Sequence, residues 1–329
     1  MTETILKVEK LKKWFPITRG LLRSLFSRRE LYVRAVDEID FEIKEREIFG
    51  LVGESGSGKT TTGRMLVRLI EPTSGKILYR GKDIVSMSDE EFKPLRKKLQ
   101  MIFQDPYESL NPKMTVFDIL AEPLRVQNVA HGDEIYERVC KILEDVELTP
   151  PQEFLQRYPH ELSGGQRQRV ATGRALILNP EFIVADEPVS MLDVSIRAEV
   201  LNLMLQLSET HGIAFLYITH DLALARHLCD TIAVMYLGKI MELASADSLI
   251  KEPLHPYTKA LLAAVPVPDP TSKRAEVTIK GEIPSPVNPP SGCRFHTRCP
   301  QFIGEICKKE TPSLVEIGSH HYVACHLYR

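Results

Sequence analysis

One octapeptide constrains the chain more than any other stretch of it. Gly53-Glu54-Ser55-Gly56-Ser57-Gly58-Lys59-Thr60 follows the apolar run Ile48–Val52 and precedes Thr61–Ile70, which carries a helical pattern. The spacing G-x-x-x-x-G-K-[ST] between a strand and a helix predicts a loop that wraps phosphate. Glycines let successive backbone N–H groups curl around phosphate oxygens, and the following helix N-terminus adds a favourable dipole. Lys59 would bring a mobile positive charge to the β- and γ-phosphates, while the Thr60 hydroxyl would ligate Mg²⁺. The expected contacts with the nucleotide therefore run over Gly53, Glu54, Ser55, Gly56, Ser57, Gly58, Lys59, Thr60 and Thr61.

A strand-loop-helix unit of this kind belongs to α/β architecture, and the surrounding chain agrees. From about Lys7 to Leu249, strand-like apolar runs alternate with helical patterns. The clearest predicted strands are Ile48–Val52, Gln100–Phe103, Phe182–Ala185 and Ile213–Ile218, and Thr231–Tyr236, Leu237-Gly238-Lys239 and Ile240–Leu243 read as a hairpin closing the sheet. Ligands of open α/β sheets bind beyond the carboxyl ends of the strands. At such an end Phe182-Ile183-Val184-Ala185 leads into Asp186-Glu187. A central strand cannot bury two charges cheaply, so both carboxylates should emerge, pointing in different directions. Asp186 would hold Mg²⁺ and Glu187 would polarise an attacking water.

Composition excludes several function classes. The formal charge of −2 over 329 residues argues against wholesale nucleic-acid binding. No apolar run reaches the ~18 residues of a spanning helix. The start, MTETILKVEKLKK, has no apolar stretch followed by a cleavage site, so a cytosolic location is expected. Between Pro253 and Gly292 lie 9 of the 22 prolines, the texture of an extended connector, with Tyr257–Val265 as a short helix inside it. Of the 6 cysteines, Cys140 and Cys229 sit in apolar surroundings as small core residues, whereas Cys293, Cys299, Cys307 and Cys325 cluster near the end. In a reducing compartment such a cluster more often holds metal than forms disulfides.

The segment Leu162-Ser163-Gly164-Gly165-Gln166 precedes the helical pattern Arg167–Leu178 and would offer another helix N-terminus to an anion. Here the chain resembles the nucleotide-binding subunits of ABC transporters, whose signature is LSGGQ. The resemblance implies a P-loop NTPase with a RecA-like core, a helical subdomain and an antiparallel β subdomain. It also implies head-to-tail pairing, in which Ser163, Gly164, Gly165 and Gln166 face the partner's nucleotide. By the same resemblance Gln104 is the Q-loop glutamine at Mg²⁺ and His220 is the switch histidine that orients Glu187. Ser190-Met191-Leu192-Asp193 is the D-loop, with Met191 where the family usually has alanine and Asp193 retained. Phe15 fits the aromatic A-loop position that stacks on adenine, with Trp14 as the alternative.

The tail spacing C-x5-C-x7-C-x17-C lacks the paired knuckles of a zinc ribbon. Four such thiolates can ligate a [4Fe–4S] cluster; zinc, or metal-free thiols, are the alternatives. The neighbouring His296, His320, His321 and His326 read as surface or connector residues. With His255-Pro256-Tyr257-Thr258, Glu71–Gly75 and Gln104–Pro112, the tail resembles the ATP-binding subunits of oligopeptide and dipeptide importers. In that group the cysteine tail has been associated with an iron–sulfur cluster. The expected organisation is an ATPase domain over 1–250, a proline-rich connector over 251–292 and a cysteine-rich region over 293–329. The resemblance implies ATP and Mg²⁺ as ligands, and a homologous second ATPase subunit as partner, with a homodimer as alternative. It further implies two membrane permease subunits, an extracellular substrate-binding protein met indirectly, and a place at the cytoplasmic face of the membrane. Oligosaccharides or nickel complexes are alternative cargoes. A soluble ABC protein acting on DNA or ribosomes would need a long coiled coil or a second cassette, and neither is present in the sequence.

Overall fold

The structure, a computed structural model, describes residues 3–17, 31–265, 279 and 281–328. In chain order the strands are β1 (Thr4–Pro16), β2 (Tyr32–Lys44), β3 (Ile48–Val52), β4 (Ser74–Tyr79), β5 (Lys82–Asp83), β6 (Leu99–Ile102), β7 (Phe182–Asp186), β8 (Ala214–Thr219), β9 (Thr231–Tyr236), β10 (Lys239–Ser245), β11 (Val315–Gly318) and β12 (His321–Val323). The helices that matter below are α1 (Lys59–Leu66), α2 (Val116–Val126), α3 (Asp133–Asp145), α4 (Gly164–Leu176), α5 (Val194–His211), α6 (Leu222–Leu228), α7 (Ala246–Lys251), α8 (Pro256–Ala264) and α9 (Glu305–Lys309). The chain divides into two compact units, one of Met1–Ile5, Lys44–Ile48 and Ser86–Ile218, the other of Leu6–Ile43, Phe49–Val85 and Thr219–Arg329.

In the first unit β6, β7 and β8 run parallel in the order β8-β7-β6, with Phe182 aligned to Leu99 on one side and Ala214 on the other. All five residues of β7 and all six of β8 are buried. Such unbroken apolar runs mark strands covered on both faces. A helical layer accompanies them. In α3 the buried residues Ile135, Val139, Ile142 and Leu143 recur at helical spacing and make one apolar stripe. The stripe packs on α2 and α4, and Gly173 of α4 lets Leu120, Val146 and Ile142 approach its backbone.

In the second unit one sheet has the order β2-β1-β4-β5, with β1–β4 and β4–β5 antiparallel. Along β2 buried and exposed residues alternate from Asp37 to Lys44, as expected where one face meets water. A second run of strands has the order β11-β12-β10-β9-β3, in which β3 is parallel to β9 and β9 antiparallel to β10. Leu237 and Gly238 join β9 to β10 with φ of 42° and 81°. That is the double left-handed pattern of a two-residue hairpin, so the predicted hairpin is present. The cysteine-bearing tail lies in this unit, and β12 adds to β10 with Glu242 opposite Val323.

Several predicted elements shift at their ends. The helix expected over Thr61–Ile70 begins at Lys59 and ends at Leu66. That expected over Arg167–Leu178 begins at Gly164, because Ser163 already caps it. The short helix expected over Tyr257–Val265 starts at Pro256, which suits the first helical turn since its missing N–H has no helical partner there. Much of the expected connector, residues 266–278 and 280, lies outside the described residues.

Candidate nucleotide site

The phosphate loop leaves buried β3 at Gly53 and enters α1 at Lys59. Gly58 is the N-cap of α1 with φ 107°, a conformation open chiefly to glycine. Thr62 Oγ1 donates to the Gly58 carbonyl at 3.0 Å, and the hairpin turn donates Gly238 N–H to the Ser57 carbonyl at 2.9 Å. Lys59 is buried, and its ammonium donates to the carbonyls of Gly53 (2.7 Å) and Glu54 (3.0 Å). The ammonium is thus folded into the curve of the loop, where phosphate oxygens would compete for it.

A second layer supports this loop from the tail. Arg298 grips Glu54 with both guanidinium arms, Nη1 to Oε2 at 2.8 Å and Nη2 to Oε1 at 3.2 Å. Its Nη1 also lies 3.3 Å from the Tyr236 hydroxyl. The Glu54 N–H donates to the Tyr257 hydroxyl at 3.0 Å. Burial pulls the Arg298 guanidinium down, but its hydrogen bonds to Glu54 and Tyr236 outweigh that and hold it above the usual range. Fully buried Phe295 packs edge-on to Tyr236 at 5.3 Å and against Tyr257 at 5.2 Å. Four residues before Arg298, Arg294 Nη2 reaches Asp37 Oδ2 at 2.5 Å, and Trp14 Nε1 donates to Asp37 Oδ1 at 3.1 Å. None of these partners was visible in the sequence pattern; the two arginines inside Cys293-Arg294-Phe295-His296-Thr297-Arg298-Cys299 were the only signal.

Of the two adenine candidates, Trp14 is engaged by Asp37 and by Arg34, which lies 4.5 Å from its ring centroid. Phe15 is 38% exposed, with only the Lys13 ammonium over its ring at 5.0 Å among the described ring contacts. His220, also in this unit, is exposed just past Thr219. Asp221 beyond it caps α6 by accepting from Ala223 and Leu224.

The first unit carries the carboxylates. Asp186 ends β7 buried at 2% exposure, while Glu187 is half-buried and turns with φ 44°, a conformation that costs a non-glycine residue about 1–2 kcal/mol. The Glu187 N–H donates to the Ile218 carbonyl at 2.9 Å. Gln104 Nε2 lies 3.3 Å from Glu187 Oε2, so the structure brings these two predicted residues together. In the signature, exposed Ser163 caps α4 reciprocally: its Oγ accepts from Gln166 N–H at 3.2 Å while its own N–H reaches Gln166 Oε1 at 3.0 Å. Arg167 donates twice to the Leu162 carbonyl and stacks 3.9 Å from the centroid of Tyr107, tying the signature to the segment after Gln104. Arg197 holds the D-loop by donating to the Leu192 carbonyl at 2.7 Å, leaving Asp193 exposed as the N-cap residue of α5.

The tail cysteines are less simply read. Burial pushes the Cys293 thiol up to about 12 and Cys299 to about 11, opposed in each case by a backbone hydrogen bond from two residues on. Nearby Cys325, Cys299 and Cys307 raise Cys293 further, so the four sulfurs feel one another. All are free. Yet among the described residues no group of three or more His, Cys, Asp or Glu side chains is arranged to hold a metal ion. The iron–sulfur or zinc expectation therefore finds no support in the side-chain placement; Cys293, Cys307 and Cys325 are buried and Cys299 is half-buried. Of the four nearby histidines, His321 and His326 are buried rather than at the surface, His321 Nε2 lying 2.7 Å from Glu242 Oε1.

Comparison with known proteins decides the family. The ABC transporter family matches residues 36–190, and the family "Oligopeptide/dipeptide transporter, C-terminal region" matches residues 241–307. The oligopeptide transport ATP-binding protein AppF of Bacillus subtilis (strain 168) is 51% identical over 329 residues, covering 99% of this chain and 98% of that one. The chain belongs to the ATP-binding subunits of the oligopeptide/dipeptide ABC transporter family. A putative oligopeptide transport ATP-binding protein, YkfD, of the same strain is 54% identical over 90% of each chain. Among solved structures, the ATP-binding cassette MJ0796, in a dimeric post-hydrolysis state bound to ADP and Pi, superposes with a TM-score of 0.63 at 28% identity, covering 73% of this chain and 98% of that one. The likeness confirms the ABC cassette fold expected from the signature.

Proposed function

We propose that this chain is the ATP-hydrolysing subunit of an importer for dipeptides or oligopeptides. The observation that carries the reading is the joint match, in this chain, to the ABC transporter family and the oligopeptide/dipeptide transporter C-terminal region, with a named oligopeptide transport ATP-binding protein matched nearly end to end. In this reading Phe15 stacks on adenine, and Gly53–Thr61 enclose the phosphates as Lys59 exchanges two carbonyls for phosphate oxygens. Thr60, Gln104 and Asp186 are oxygen donors, the set that suits Mg²⁺. When bound, Mg²⁺ neutralises charge on the β- and γ-phosphates. Glu187 accepts a proton from the attacking water, Gln104 and His220 hold water and γ-phosphate in line, and Ser163–Gln166 with Asp193 complete the site of a partner subunit.

The partner is a homologous second ATPase subunit, and the pair docks on two permease subunits that receive substrate from an external binding protein. No described helix is long and apolar enough to cross a membrane, which suits a subunit seated on its cytoplasmic face. A [4Fe–4S] centre on Cys293, Cys299, Cys307 and Cys325 belongs to the same reading on their clustering in the sequence alone. An anaerobic preparation should then carry about four irons per chain; zinc, or no metal, would reject it. Organisation into 1–250, 251–292 and 293–329 accompanies the same reading.

Replacing Glu187 with Gln keeps the size and a hydrogen bond to Gln104 but removes the base. MgATP affinity should stay within a few-fold while turnover falls by about 10² or more. Near-wild-type phosphate release by E187Q would remove Glu187 from the mechanism.

A further inference from the structure

Glu54 is the one acidic residue in Gly53–Thr60. If this loop takes a triphosphate, its carboxylate stands beside a ligand of the same sign. Like charges so placed repel, and in a partly buried site solvent screens the repulsion incompletely. The side chain of Glu54 is 24% exposed and that of its partner Arg298 9%. The pairing is bidentate, the geometry in which arginine gives a carboxylate both charge and fixed orientation. Tyr257 fixes the same residue's backbone by accepting its N–H, and Tyr236 touches both the arginine and the Tyr257 ring. Arg298 is itself anchored. Phe295 is fully buried, and Arg294 pairs with Asp37, which also holds the Trp14 indole beside the proposed adenine-stacking Phe15.

We propose that Arg298 is a positioning residue for the nucleotide, acting through Glu54: it cancels the loop's carboxylate and fixes the loop's second residue in the shape that receives phosphate. The segment Cys293–Cys299 thereby ties the tail to the nucleotide site at two points, Glu54 by Arg298 and Asp37 by Arg294. The proposal rests on reading Gly53–Thr60 as the triphosphate loop.

The test uses the full chain, the probe MgATP, and steady-state ATPase kinetics. Arg298→Ala should raise the Kd and KM for MgATP about tenfold, with a smaller fall in kcat, the scale of a lost charge-assisted pair. Arg298→Lys, which keeps charge without the fork, should fall between R298A and wild type. The deciding variant is the double substitution E54Q/R298A, which removes the uncompensated carboxylate and should recover most of the lost affinity. A Kd for R298A equal to wild type overturns the proposal. So does a folded R298A whose lost affinity E54Q does not recover, since that would mark a plain scaffold contact. Should R298A fail to fold, R298K and E54Q/R298A carry the same comparison, and equal Kd values for R298K and wild type overturn the charge-and-fork argument. Failure of the wild-type chain to bind MgATP would instead strike the nucleotide reading itself.

Discussion

Gly56 and Gly58 sit two residues apart in the same loop, both in the left-handed region, with φ of 76° and 107°. Around a Cβ added at Gly56 there is open space, whereas one at Gly58 would meet the Ala35 carbonyl oxygen at 2.1 Å. The backbone penalty is shared and the clash is not, so the two substitutions separate conformation from contact. Gly56→Ala should cost about 1–2 kcal/mol in urea unfolding, the price of a left-handed residue. Gly58→Ala should cost about 3 kcal/mol or more and abolish MgATP binding, because backbone on β2 must move. Equal midpoints for the two variants would show that the Ala35 contact is not tight in solution. Residue chemistry of this local kind was legible: the loop, the adjacent carboxylates and the signature each follow from a few consecutive positions. The pairing of Arg298 with Glu54 was not, because it joins residues 244 apart and leaves no periodic or spacing signal.

At the scale of elements, α8 shows how a polar residue becomes structural. His255 is buried at its N-cap, its Nδ1 accepts from Tyr257 N–H at 3.0 Å, and its backbone N–H donates to Glu242 Oε2 at 2.9 Å. Burial, aided by the charge of Lys259, lowers its imidazole to about 3. The unfolded chain, with an ordinary value near 6.5, therefore takes up the proton first. The contribution is complete above about pH 6.5 and is lost as pH falls from there toward 3, a loss of up to about 2 kcal/mol by pH 5. His255→Asn keeps an N-cap acceptor but removes the titration. Urea midpoints at pH 7.5 and pH 5 should drop more for wild type than for H255N, and parallel drops would assign the acid sensitivity elsewhere. Sequence periodicity placed α8 within one residue, but treated His255 only as part of a resemblance. Its role depends on Glu242 of β10, which also meets His321 of β12, and a contact network between a helix cap and two strands has no linear signature.

For the whole molecule, what the signature adds is a surface that the chain by itself leaves uncovered. Ser163 and Asp193 are exposed, and beside them Met191 is 64% and Val194 80% exposed, apolar side chains given to solvent around the D-loop. Isolated apolar side chains on a surface are ordinary, but these flank residues that, by the proposed function, serve a nucleotide on another subunit. A nucleotide held between two subunits makes dimerisation depend on the triphosphate, since binding to the paired state alone shifts the equilibrium by mass action. Blocking hydrolysis with E187Q should trap that state. Mixed with the companion ATPase subunit, the 37.3 kDa chain should sediment at about twice its mass in MgATP and at its own mass in MgADP. Adding Met191→Asp should weaken the complex about tenfold by placing an unpaired charge in the covered surface. The single chain should stay at its own mass in MgATP; doubling without a companion would make it a homodimer. If E187Q remains monomeric in MgATP both alone and with the companion subunit, Ser163 and Asp193 serve no second nucleotide and the shared-site reading fails.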